Sequence, residues 1–241
     1  MTKNEEGVRV DRFLEEALYG HGGFYTRAGG AGRRADFLTS PEVGPLFGAV
    51  VARALDAEWE RLECPDSFTV VEAGAGRGAL ARSVLGAAPA CAGVLRYVCV
   101  ERSDRLRHQA SEVAGVTVAA QLPPGPITGV VLANELLDNL AFRLLERRSG
   151  GWAEVFVAGA AGATHYEVLV DAPPDATTFA DSLASDAAGG ARLPLQQHAC
   201  AWLGDALACV ERGRVVVVDY ADTSPSLARR PWREWVRTYR G

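Results

Sequence analysis

In VVEAGAGRGALA (Val70–Ala81) an apolar run carries the acid Glu72, and Gly74, Gly76 and Gly78 then alternate before apolar residues resume. Glycine adopts left-handed backbone freely and lets a ligand approach the main chain. A strand that breaks into such a turn before a helix is therefore suited to a nucleotide-like cofactor, with the helix N-terminus facing a negative group. The string GAGRGA fits the dinucleotide pattern G-x-G-x-x-G/A. Glu72 separates the cofactors by charge: at the strand end its carboxylate would repel a pyrophosphate and favour the sulfonium and ammonium of S-adenosylmethionine. A tight turn with no ligand stays open as the alternative, as does a nicotinamide-dependent oxidoreductase.

Three further strand ends carry polar groups. Glu101, 23 residues after Gly78, is placed to accept the two hydroxyls of a ribose, or else to serve as an acid ahead of a helix starting near Ser103. Gln121, in AAQLPPG, could reach an adenine amine or be an ordinary polar loop residue. LANELLDNLAF (Leu132–Phe142) supplies Asn134, Glu135 and Asp138. Asn134 can hold an amine or guanidine hydrogen, and a carboxylate at Glu135 or Asp138 can localise a guanidinium charge and take its proton. Read without a ligand, the same three residues are a helix start, with Asn134 as N-cap.

These groups need a scaffold that brings strand ends together. From Phe68 onward, apolar runs alternate with helical stretches: FTVVE, LRYVCVE, VTVAA and GVVLANE read as strands, and GRVVVVDYA (Gly213–Ala221) as a fifth. Strands alternating with helices imply a parallel sheet covered on both faces, and such sheets bind ligands at their carboxyl edge. Ahead of them lies a glycine-rich loop (residues 20–37). It leads into a helix whose Thr39 reads as N-cap, with Glu42 as capping-box partner. Between Glu135 and Gly213 the period changes to two. GWAEVFVAG and THYEVLVDA predict an antiparallel hairpin, and LQQHACAWLGDALACVERG a helix ending at Gly213, as an insertion over that carboxyl edge. The predicted organisation is residues 1–67 as an N-terminal loop and helix cap, 68–135 as the cofactor-binding core, 136–212 as the insertion, and 213–241 as the fifth strand with a basic C-terminal segment.

Composition narrows the function classes. The 241 residues, 48% hydrophobic with a formal charge of −5, can bury a substantial core and lack the basic face that nucleic acid demands. No apolar run reaches the ~18 residues of a membrane span, and the polar start does not read as a signal peptide. The five cysteines have no C-x-x-C spacing, so reduced thiols in a cytoplasmic protein are expected, with no metal site.

Four linked motifs carry a resemblance: GGFYTRAGGAGRRADFLTSPEVGPLFG, VEAGAGRGAL, VERSDRLRHQ and ANELLDNL, in order over nearly the whole chain. Together they resemble the MidA-type methyltransferases, whose mitochondrial member is a protein-arginine methyltransferase. The resemblance implies an α/β fold: a Rossmann-like class I methyltransferase sheet with helices on both faces, an N-terminal helical extension, and a hairpin-plus-helix insertion after the fourth strand. It implies S-adenosylmethionine bound by Gly74, Gly76, Gly78 and Glu101, with Asn134 and Glu135 lining the transfer site. Thr39, Ser40, Pro41 and Glu42 would close the pocket, and a protein substrate would be the partner, with a homodimer left open. The sequence departs from the family pattern at Ala35, Asn139 and Ala141, and it ends soon after the fifth strand, where class I sheets add two more. An exposed sheet edge is therefore expected, and a non-catalytic scaffold on the same fold is the remaining alternative.

Overall fold

The computed structural model describes residues 7–27, 44–159 and 164–235. In chain order the elements are β1 (Val8–Arg9), α1 (Val10–Tyr19), α2 (Pro45–Arg61), β2 (Phe68–Ala73), α3 (Ala79–Gly86), β3 (Leu95–Val100), α4 (Asp104–Ala110), β4 (Val116–Ala119) and β5 (Ile127–Asn134). There follow β6 (Arg143–Arg148), β7 (Gly151–Ala158), β8 (Tyr166–Asp171), α5 (Pro174–Ala184), β9 (Arg192–Leu195), α6 (Gln197–Cys209), β10 (Val210–Val218) and α7 (Ser224–Arg229). They divide into two compact units. One comprises Leu18–Asn139 and Ala201–Asp219, and the other the described residues of Met1–Ala17, Leu140–Cys200 and Tyr220–Gly241.

The first unit is built on a parallel sheet in the order β10-β5-β2-β3-β4. Its central strands are apolar on both faces because helices cover both. Phe68 and Val70 pack with Val51, Ala52 and Leu55 of α2 and Leu80, Ala81 and Val84 of α3. Val71 and Val131 point the other way, onto Ala206 and Cys209 of α6. Helix α6 therefore lies on the crossover from β5 to β10 and belongs largely to this sheet. That corrects its assignment to an insertion: its Ala and Cys positions match the face of β2 and β5 that α2 and α3 leave open.

The expected Gly213 helix stop is also corrected, because α6 ends at Cys209 and β10 begins at once. Gly213 instead pairs with Gly129 in the ladder, and a Cβ on it would lie 1.7 Å from the Gly129 carbonyl oxygen. Helix α2 starts at Pro45, after the extended Gly44, with no side-chain cap. Thr39 and Glu42, read as its capping box, lie outside the described residues, as do Ser40 and Pro41. Of the apolar positions assigned to this helix, Leu46 and Val50 are exposed while Val51 and Leu55 are buried.

In the second unit the predicted hairpin is β7–β8, with Ala153 opposite Asp171 and Ala158 opposite Tyr166. It is part of a larger antiparallel sheet in which β7 also pairs with β1 and β6, and β6 with β9. Strands β6 and β9 and helix α5 were not read from sequence. Ala176, Ala180 and Ala184 of α5 cover Leu145, Trp152, Leu193 and Leu195. Small residues let this helix lie close to the sheet, and alanine at that spacing carries little hydropathy signal. Within this sheet Arg143 Nε and Nη2 donate to the two carboxylate oxygens of buried Glu154 at 2.7 and 2.9 Å. A charged pair at strand positions 143 and 154 hides the alternation that would have announced a core. The four-part division thus gives way to two interleaved units, because the N-terminal strand pairs with β7 and α7 packs on β9.

Candidate functional site

The parallel register places the polar residues side by side. Ala73 at the end of β2 pairs with Val100 of β3 on one side and Ala133 of β5 on the other. One step further, Gly74 lies between Glu101 and Asn134. Asn134 in turn pairs with Val218 of β10, so Glu135 and Asp219 are the next residues along that pair of strands. Four strand ends thereby meet at the carboxyl edge, where open α/β sheets bind ligands.

The three glycines of the loop all have left-handed φ (71°, 57° and 76°). A Cβ on Gly74 would come within 2.9 Å of Leu136 Cδ1, the end of a flexible side chain, and one on Gly78 within 2.9 Å of Val113 Cγ2 and 3.4 Å of Ala110 Cα, so Gly78 is the more closely packed of the two. Among the described residues a Cβ on Gly76 would meet nothing within 4 Å. Gly76 is thus the glycine of the loop whose Cβ direction is open among the described residues, while its N–H donates to Glu101 Oε2 at 2.9 Å.

Glu101 is buried, and its other oxygen accepts from Ser103 N at 2.7 Å. Ser103 is itself the N-cap of α4, its hydroxyl accepting from Leu106 N. Both readings of Glu101 therefore coexist: it steadies the helix start and reaches the glycine loop. Burial pushes its carboxyl above the ordinary carboxylate value, against the pull of the Ser103 and Gly76 amides. Each carboxylate oxygen retains a second lone pair for a ligand hydroxyl. Gln121 lies two residues beyond β4 and is exposed. It shares this edge through β4, whose Ala119 carbonyl accepts from Glu101 N at 2.9 Å.

Glu72 is placed differently from the expectation. Side chains at 68, 70 and 72 share one face of β2, and that face lies beneath α2 and α3. Glu72 is 4% exposed, accepts a 2.7 Å hydrogen bond from the Tyr97 hydroxyl, and takes a second from the backbone of Ala81 in the first turn of α3. Its carboxylate holds the glycine loop from below by satisfying one of the helix's unpaired amides. The charge argument for a sulfonium therefore has no contact surface at Glu72. Period-two parity with Phe68 and Val70 is the sequence signal that points inward.

After β5 the chain does not enter an α-helix, so Asn134 is not an N-cap. Glu135 takes a left-handed φ of 51°, its N–H donating to Val218 O at 2.8 Å, and a short 3₁₀ turn spans Leu137–Asn139. The turn is held by Asp219, whose Oδ2 accepts from Leu137 N at 2.8 Å. Among the described residues Asn134 Oδ1 is buried with no hydrogen-bond partner, which leaves an acceptor at this strand end. Loss of hydration, then the charges of Asp219 and Glu135, push the Asp138 carboxyl up to about 6, although the residue keeps an exposed surface.

Two contributors escaped the sequence reading. Asp219 follows the fifth strand, and strand-end register is the signal that could have found it. Tyr25 comes from the segment read as loop by composition. Its hydroxyl donates to Asn139 Oδ1 at 2.6 Å, and its ring stacks on Tyr19 at 5.4 Å. Asn134, Glu135, Asp138, Glu101 and the glycine loop are brought together in one unit.

A family model described as "Putative S-adenosyl-L-methionine-dependent methyltransferase" matches residues 50–232. The chain belongs to this family. Among curated proteins it is similar to the Drosophila melanogaster protein arginine methyltransferase NDUFAF7 homolog, mitochondrial. The two are 40% identical over 79 residues, covering 32% of this chain and 18% of the relative. It is also similar to the Mus musculus protein arginine methyltransferase NDUFAF7, mitochondrial, at 26% identity over 191 residues, covering 64% of this chain and 43% of the relative. Among solved structures, a Burkholderia thailandensis protein bound to S-adenosyl-homocysteine superposes with a TM-score of 0.78 at 29% identity. That match covers 90% of this chain and 59% of the other. A native structure from the same organism gives 0.79 at 27%, covering 94% and 60%. The chain thus spans less than half of the mouse relative and about three fifths of the solved structures. Family membership agrees with the sequence-based resemblance and replaces the nicotinamide alternative. The order β4-β3-β2-β5-β10 is the class I order through its fifth strand.

Proposed function

We propose that this chain is an S-adenosylmethionine-dependent methyltransferase that modifies a protein side-chain nitrogen, with the arginine guanidinium as acceptor. One observation carries the reading: Oδ1 of Asn134, buried and without a partner among the described residues, sits at the strand end beside Gly74, with Glu135 held just beyond it in a left-handed conformation. An orphaned acceptor there suits a ligand N–H, either the cofactor's ammonium or the acceptor nitrogen. The open space at Gly76 and the two-sided acceptor Glu101 fit a nucleoside with a ribose diol. When bound, S-adenosylmethionine supplies a methyl group activated by its sulfonium.

The chain's own residues supply position and charge. Gly76 leaves room at the loop, and Glu101 fixes the ribose. Asn134 orients the acceptor nitrogen, while Glu135 and Asp138 hold its positive charge and accept its proton. A carboxyl pushed up to about 6 is better matched to a proton transfer near neutrality than an ordinary aspartate. Support for the acceptor class comes from the arginine methyltransferase names of the curated relatives, and support for the cofactor from the S-adenosyl-homocysteine in the Burkholderia structure. A cytoplasmic location belongs to the same proposal, and the free cysteines are compatible with it. Among the described residues no helix is long and apolar enough to cross a membrane.

Calorimetry with S-adenosyl-homocysteine and with NADH tests the cofactor, and NADH binding as tight or tighter would refute the reading. Glu135→Gln tests the chemistry: its affinity for S-adenosyl-homocysteine should match the parent while transfer from tritiated S-adenosylmethionine into lysate protein falls by roughly 10²-fold. An unchanged rate would remove Glu135 from the base role.

A further inference from the structure

Two of the loops that build the site lie on strands that are not neighbours, one after β3 and one after β5, with β2 between them. A segment that precedes both in the chain ties them together. Ser103 Oγ, beside Glu101, donates to the Tyr25 carbonyl at 2.8 Å, and the Tyr25 hydroxyl donates to Asn139 Oδ1 at 2.6 Å. Asn139 Nδ2 passes the contact on, donating to the Glu135 carbonyl at 3.1 Å and to Asp138 Oδ1 at 2.9 Å.

Tyr25 has little freedom of its own. Its ring stacks on Tyr19 with an interplanar angle of 25°, meets Phe24 edge-on at 5.0 Å, and Arg102 lies 4.2 Å over Tyr19. Burial first, and then the neighbouring Tyr19, Asp138 and Glu101, push the phenol well above its ordinary value, so it stays a donor throughout the neutral range. Glu135 is a non-glycine residue with left-handed φ, a conformation that persists only where surrounding bonds over-determine it. Its N–H is held by Val218 and its carbonyl by Asn139. The second of those bonds depends on the orientation of the Asn139 amide, which the Tyr25 hydroxyl sets.

We infer that Tyr25 is a positioning residue for the transfer step: it fixes Asn139, which holds the Glu135 backbone and so aims the Glu135 side chain, while its own carbonyl is anchored to the cofactor-side loop at Ser103. The role in transfer rests on the methyltransferase reading, whereas the tie between the loops does not.

Tyr25→Phe removes the hydroxyl and keeps the ring. Asn139→Ala removes its partner, and the double variant closes the cycle. Three quantities are measured on the full chain: affinity for S-adenosyl-homocysteine, transfer of tritiated methyl into lysate protein at saturating S-adenosylmethionine, and hydrogen exchange of the amides at 135–139 without ligand. In Tyr25→Phe the affinity should stay within about twofold and the transfer rate should fall about tenfold, as for a misaligned catalytic group. Exchange at 135–139 should quicken about fivefold or more, the effect of one lost hydrogen bond on a local opening. The double variant should be no worse than Asn139→Ala, since both changes cut one chain of contacts. Parent-like exchange at 135–139, parent-like transfer, or additive single effects would overturn the inference. If the parent binds S-adenosyl-homocysteine but transfers nothing, the methyltransferase reading fails by itself, and the exchange measurement and the cycle still decide whether Tyr25 holds the loop.

Discussion

Replacing Glu72 with glutamine turns the burial of this acid into a measurable pH dependence. Glu72 is 4% exposed beneath α2 and α3, and burial pushes its carboxyl from the ordinary 4.5 up to about 7, against the opposing bonds from Tyr97 and Ala81. The negative charge of Glu101 adds to the rise. Because the folded value lies above the unfolded one, the folded protein holds this proton more tightly between the two. The resulting stabilisation is complete below about pH 4.5 and is lost as pH rises through about 7, above which the contribution is flat. The difference between about 7 and 4.5, at 1.36 kcal/mol per pH unit, comes to about 3 kcal/mol. Glutamine does not titrate and resembles the neutral acid in shape. Urea unfolding of parent and Glu72→Gln, followed by circular dichroism across roughly pH 4.5 to 8.5, isolates the effect as a difference. At the acid end the two should agree within about 1 kcal/mol, the net worth of one altered hydrogen bond. Toward pH 8 the parent should lose about 3 kcal/mol relative to the variant. Parallel profiles would refute the reasoning and would mean that the Glu72 charge is solvated or compensated.

Glu101→Ala should weaken S-adenosyl-homocysteine binding by about 1.5 to 3 kcal/mol in calorimetry, the range for hydrogen bonds to a charged group. It should also lower stability, since the amides of Gly76 and Ser103 lose their acceptor. Glu101→Gln keeps one acceptor oxygen and should lose less, while unchanged affinity in both would confine Glu101 to a structural role. Gly213→Ala places a methyl 1.7 Å from the Gly129 carbonyl oxygen at a φ of 139°, and should leave little soluble folded protein. Gly86→Ala, in the last turn of α3 with nothing within 4 Å among the described residues, should be neutral or gain up to about 1 kcal/mol in urea unfolding.

Local pattern was enough for the parallel sheet and its glycine loop. Runs such as FTVVE and GVVLANE are apolar on both faces, and three alternating glycines between a strand and a helix are costly unless the backbone must turn left-handed, as all three do. The residues at the strand ends followed from the same logic, since a parallel sheet aligns its carboxyl ends and Glu101, Gly74 and Asn134 fall in one row. What depends on contacts between distant segments was not legible. Glu72 faces inward because α2 and α3 cover its side of β2, and Glu135 is left-handed because Val218 and Asn139 grip it from two directions. Helix α6 looked like part of an insertion because its residues follow the antiparallel strands in the chain, although its apolar side matches the uncovered face of β2 and β5. Strand β6 was hidden by Arg143, whose charge is neutralised only once β7 brings Glu154 beside it. Sequence patterns report the period and chemistry of one segment at a time. Which segment covers a face, satisfies an amide or cancels a charge is decided when residues more than a hundred positions apart, such as Tyr25 and Asn139, come within hydrogen-bonding distance.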